Sequence, residues 1–222
     1  MKTTALYSVI LFAGCANTSP AALFWVDGGA NNNWSLTDVN WSTTSGGAAT
    51  SAWIVGEDAV FEGAGAAIEV TENVSVNSIA VNADGYSTSS GTDNTIDFSG
   101  SRALGVSTGN SFQVNNNFTS DGDLLVGGEG NLRVNTADSN LNGNKFIVNG
   151  GTTQFVKGGF GDFTGPFSEN TEVVVNSGAN IENASAHAIN GYYAGTFINL
   201  QENSSMTLTG ELYSKNISMT GA

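Results

Sequence analysis

The feature that most constrains this chain is a short strand that keeps closing on the same dipeptide. Val-Asn ends an apolar run at Val76-Asn77, Val81-Asn82, Val114-Asn115, Val134-Asn135, Val148-Asn149 and Val175-Asn176. Phe146–Phe155 and Val173–Ile181 continue from such a pair through a Gly-containing turn into a second strand. Leu124–Leu132 and Ile198–Met206 are looser copies. The copies recur at irregular offsets of about 20 to 27 residues, a length that suits one turn of a parallel β-solenoid. In such a coil each strand pairs with its equivalents in the turns above and below, and inward apolar side chains stack into one core. Asn and Gly fit the corners because both tolerate left-handed backbone conformations. Asn side chains also hydrogen-bond to one another in ladders.

Helical periodicity is nearly absent. Short runs alternate or stay apolar for four to six residues and then meet Gly, Asn, Ser or Asp. The clearest are Ala67–Val70, Val74–Val81, Thr95–Phe98, Ser111–Val114, Asp123–Val126 and Asn131–Val134. They continue with Lys145–Val148, Thr153–Val156, Glu172–Val175, Thr196–Leu200, Ser205–Leu208 and Lys215–Met219. The expected fold is all-β: a right-handed parallel β-helix starting near Ala67, with about six to eight rungs and an N-terminal aromatic cap. The organisation read from the chain is a signal peptide over 1–22, a cap region over 23–66 and solenoid repeats over 67–222. The repeats are expected to be incomplete at the C-terminus.

The first residues read as an export signal. Lys2 supplies the positive charge, Ala5–Ala13 is an apolar stretch too short to span a bilayer, and Ser19-Pro20-Ala21-Ala22 offers small residues for cleavage near Ala21 or Ala22. Phe12-Ala13-Gly14-Cys15 gives a second reading, a lipobox that would make Cys15 the lipidated first residue of a lipoprotein. Cys15 is the only cysteine, so packing and hydrogen bonding rather than disulfides must hold the exported chain together. No later segment approaches 18 consecutive apolar residues, so no membrane span is expected. Lys and Arg number 6 against 20 Asp and Glu, a formal net charge of −14. A surface of that sign repels phosphates and anionic lipid, so nucleic acid is excluded as a partner.

All four Trp lie just after the leader: Trp25, Trp34, Trp41 and Trp53. They sit in Phe24-Trp-Val-Asp-Gly-Gly-Ala-Asn-Asn-Asn-Trp-Ser-Leu-Thr-Asp-Val-Asn-Trp41 and beyond, followed by Gly56-Glu-Asp-Ala-Val-Phe61. This stretch resembles the N-terminal pattern of bacterial autotransporter-associated β-strand-repeat proteins. The segment Ile68–Val81 is similar to the first rung that follows that pattern. The resemblance covers about Phe24 to Tyr86; beyond it only the repeat texture agrees. It implies a passenger-type β-helix and exposure at the cell surface or secretion. It implies no enzymatic activity.

The candidate sites are sparse. Polysaccharide cleavage needs two carboxyl groups across one bond, and Asp121 with Asp123, or Asp93 with Asp97, are the pairs that spacing offers. The Asn-Thr-Asp, Asp-Asp and Gly-His-Gly pattern of polygalacturonases is missing, and the few cations are isolated. His187 is the only histidine, too few for a triad or a zinc site. Gly158-Gly-Phe-Gly-Asp162 is similar to one calcium-binding β-roll repeat, without a second copy to complete the site. No catalytic, cofactor or metal site is expected. Trp25, Trp34, Trp41, Trp53 and Phe61 have two readings. They form a cap over the first rung, or exposed rings that stack on sugars. The expected function is an exported structural or adhesive solenoid at the cell surface, contacting polysaccharide or other surface polymers. The alternative is a carbohydrate-binding or polysaccharide-cleaving β-helix.

Overall fold

Alternation decides the architecture. In strand after strand, odd and even residues part cleanly into buried and solvent-facing sets, as in Ser111–Val114 and Glu172–Val175. A strand with one apolar face must lay that face on another. The computed structural model describes residues 20–27, 29–89, 93–136, 139–156, 171–184, 197–208 and 216–219. Among these there is no helix, and the strands wind into a parallel β-solenoid.

The N-terminal strands are β1 (Ala22–Trp25), β2 (Asn33–Trp34), β3 (Trp41–Ser42), β4 (Asp58–Phe61), β5 (Ala67–Val70) and β6 (Val74–Val81). Next come β7 (Tyr86–Ser89), β8 (Ile96–Val106), β9 (Ser111–Val114), β10 (Phe118–Ser120), β11 (Leu124–Gly127) and β12 (Asn131–Val134). The remainder are β13 (Phe146–Val148), β14 (Thr152–Phe155), β15 (Glu172–Val175), β16 (Asn180–Asn183), β17 (Phe197–Leu200), β18 (Ser205–Leu208) and β19 (Asn216–Met219). From β4 onward the chain alternates between two sheets, except that β10 and β11 both join the first. The first sheet runs β19-β17-β15-β13-β11-β8-β6-β4-β1-β3, with β10 beside β8. The second runs β18-β16-β14-β12-β9-β7-β5-β2.

Register makes the core continuous. Ala59 pairs with Ile79, Ile79 with Leu104, Leu104 with Val126, Val126 with Val148, Val148 with Val175 and Val175 with Leu200. All of them are buried. Phe112, Leu132, Thr153 and Ile181 form the facing column from the second sheet. Burying each aliphatic side chain stabilises by roughly 1.5–3 kcal/mol. The stack is therefore a sum of similar layers.

The two corners differ. Connections from the first sheet to the second are three to five residues long throughout, from β4–β5 to β17–β18. Connections from the second sheet back to the first range from three residues, between β5 and β6, to sixteen, between β14 and β15. Gly128 shows what keeps the β11–β12 corner tight. It has φ +87°, and a Cβ there would collide with the backbone carbonyl of Val106 in the preceding turn.

Three features depart from the expectation. The parallel ladder does not begin at Ala67: β1 pairs parallel with β4, and β2 with β5, so residues of the 23–66 region form a turn of the same coil. That turn is long because the connections 26–32, 35–40 and 43–57 interrupt it, and its one Val-Asn pair, Val39-Asn40, lies in a loop instead of closing a strand. The first sheet then ends on an antiparallel strand, β3, with Trp25 opposite Trp41. Finally, β8 is eleven residues long where only Thr95–Phe98 was legible. Its middle bends at Gly100 and Arg102, both at positive φ, and the register against β6 slips between Val76 and Ser78. Ser101 and Arg102 at that bend hid the strand's second half, Ala103–Val106.

Candidate functional site

The Trp residues converge. β1 places Trp25, β2 Trp34, β3 Trp41, the following loop Trp53 and β4 Phe61, and all five side chains are buried in the core. Trp34 and Trp41 are 0% exposed. Ring centroids lie 5.3 Å apart for Trp25–Trp41, 5.3 Å for Trp34–Trp41, 5.2 Å for Trp34–Trp53 and 4.8 Å for Trp41–Trp53. Phe61 joins this group to the solenoid interior. It lies 5.7 Å from Trp41, 5.3 Å from Tyr86 and 5.8 Å from Phe112, the last in a stacked arrangement. Buried rings offer no face to a ligand.

Polar groups tie the cluster to its loops. The Trp53 indole donates to the Ser75 carbonyl at 3.1 Å. The indole N–H groups of Trp25, Trp34 and Trp41 have no oxygen or nitrogen acceptor. Trp25 meets Trp41 edge-on at 85°, the arrangement in which a ring edge faces a π cloud. The Asp38 carboxylate accepts from Ser35, at 2.8 Å, and from Asn31, at 3.0 Å. Those bonds hold its pKa below the usual carboxylate value, with Asn33 adding to them. Tyr86 donates to the Glu62 carbonyl at 2.6 Å. Burial first, then the charges of Asp27 and Glu62, push its pKa up to about 12.

Three of the four carboxylates singled out for cleavage chemistry are engaged in joining turns. Asp121 pairs with Arg102 at 3.0 Å. Asp123 accepts the Lys145 backbone N–H at 2.9 Å, and Asp97 accepts from Thr119 at 2.7 Å. Asp93 is exposed at the start of a connection. His187 and Gly158–Asp162 lie outside the described residues, as does Cys15. Among the described residues no group of three or more His, Cys, Asp or Glu is placed to hold a metal ion. No helix there is long and apolar enough to cross a membrane.

A second feature escaped the sequence reading. On the outer face of the first sheet, Glu172, Phe197, Ile198, Asn199 and Ser218 line a cleft of about 350 Å³. Lys145 Nζ lies 3.0 Å from Glu172 Oε2, and Asn199 Nδ2 donates to Glu172 Oε1 at 3.1 Å. Gln201 Nε2 donates to Asn199 Oδ1 at 2.9 Å. The Asn199 hydrogen bond and then Lys145 lower the Glu172 pKa, and Glu172 raises that of Lys145. The available signal was parity. In Phe197–Leu200, Ile198 and Leu200 point inward, which leaves the Phe197 ring outside and 41% exposed.

Comparison with family models, with curated proteins and with solved structures gives no match to this chain.

Proposed function

We propose that this chain is an exported, non-catalytic β-solenoid rod that presents its sides at or beyond the bacterial cell surface, akin to autotransporter-associated β-strand-repeat passengers. The observation that carries this reading is the long parallel ladder with its single apolar core. A stack of that kind holds extended lateral surface at fixed spacing, which suits contact with large polymers. The leader Lys2–Ala22 and the absence of any cysteine after Cys15 agree with export. In this reading the Trp cluster closes the N-terminal end of the rod, where a solenoid otherwise exposes apolar side chains and unpaired backbone.

Expression of the complete gene in a Gram-negative cell tests the proposal. Intact cells should bind antibody raised against the solenoid, or release the protein, and its new N-terminus should fall near Ala21 or Ala22, or at Cys15. Cytoplasmic retention with Met1 intact would sink it.

A further inference from the structure

We infer that the outer face of the first sheet binds a neutral sugar at the cleft centred on Phe197. The ring stands where a core role is impossible. Phe197 pairs with Glu172 of the preceding turn, on the solvent side of the sheet, while its chain neighbour Ile198 is buried. An exposed aromatic face recognises the C–H face of a pyranose, and polar groups at its edge take the hydroxyls.

Those polar groups are already arranged. Glu172 and Asn199 are held in one network by Lys145 and Gln201, at 2.9–3.1 Å. Ser218 adds a hydroxyl one turn further on, opposite Asn199 in register. Carboxylate, amide and hydroxyl together supply both donors and acceptors, which is what vicinal sugar hydroxyls need. Side chains locked before binding lose little entropy on contact. A cleft of about 350 Å³ suits a single sugar ring.

Charge selects among sugars. Lys145 offsets Glu172 locally, and the chain as a whole carries −14. Uronates and sulfated sugars are therefore repelled, and neutral hexoses are not. The cleft also has a continuation. Val174, Ile147, Leu125 and Ala103 follow Asn199 in one outward column across the preceding turns. Their spacing of roughly 4.8 Å offers apolar contacts along the rod axis to further units of an extended glycan.

The full chain should be screened on immobilised neutral and anionic oligosaccharides. The best soluble neutral ligand is then titrated by calorimetry into the wild type and into Phe197→Ala, Glu172→Gln and, on the opposite sheet, Gln113→Ala. Phe197→Ala should weaken binding about ten-fold or more. Glu172→Gln should weaken it several-fold, and Gln113→Ala should leave it unchanged. Circular dichroism should be the same for all, because these side chains lie outside the core. Binding of anionic glycans alone, binding of no glycan, or a Phe197→Ala variant equal to the wild type would overturn the inference. None of those outcomes touches the proposed export of the rod, which the localisation experiment reads separately.

Discussion

Tyr86 shows how one buried group can report on the whole stack. Its ring joins the Trp cluster to the later turns through Phe61, and its hydroxyl donates to the Glu62 carbonyl. The ordinary phenol titrates near pH 10, whereas Tyr86 is pushed up to about 12, by burial first and by Asp27 and Glu62 second. Below about pH 10 both folded and unfolded chains keep the proton, and its contribution to stability is complete. Between about pH 10 and 12 the unfolded chain releases the proton and the folded chain retains it. Stability therefore falls as pH rises through that window. Denaturant midpoints measured near pH 9 and 11.5 should drop further for the wild type than for Tyr86→Phe. At pH 9 the variant itself should lose about 1 kcal/mol with the hydrogen bond. Equal drops would show that another group governs the alkaline transition.

At the scale of elements, the Val-Asn pairs resolve into three jobs. Asn82, Asn149 and Asn176 sit at the tight corner after the first sheet; Asn149 Oδ1 accepts from Asn176 at 2.5 Å. Asn115 and Asn135 sit at the other corner, where Asn135 donates to Asn115 at 2.7 Å and Asn115 donates to the Thr88 carbonyl. Asn77 lies inside β6 at the register slip, donating to Asp58 and accepting the Ser101 N–H. One dipeptide thus serves two corners and a bulge, which is why its spacing is irregular in sequence while the ladder is regular in space. The repeat was legible because corners demand Asn and Gly and interiors demand Val, Ile and Phe. The parallel start at β1 was not, because its loops break the period. Nor was Phe197, because an outward aromatic inside an apolar run looks like core until parity is counted. The end strands carry their own test. Trp41 in β3 is fully buried against Trp25, Trp34, Trp53 and Phe61. Trp41→Ala should cost about 3–5 kcal/mol. Hydrogen exchange should rise first in β1, β4 and β6 and last in β13 to β16. A uniform rise along the chain would argue that the cluster stabilises the coil globally rather than closing one end.

The whole molecule is a coil with one constant corner and one variable corner. A six-residue Gly/Ser insertion between Asn142 and Gly143, in the connection from β12 to β13, should lower stability by less than about 1 kcal/mol. The same insertion between Glu129 and Gly130 should be far more damaging. There Gly130 donates to the Val106 carbonyl, and Gly128 packs against the same residue. Thermal melts of the two variants provide the comparison, and similar melting temperatures would refute the asymmetry. The variable corner follows from how a parallel stack is held. Each turn is fixed to its neighbours by strand registers and by one short bend, while the return path touches the next turn at separate points, as where the Asn140 N–H donates to the Phe118 carbonyl. Extra chain placed between those points, beyond the buried Leu141, should change neither the pitch nor the side chains stacked within. The coil works as a spine with one margin of adjustable length, where chain can be added between the points at which successive turns hold each other.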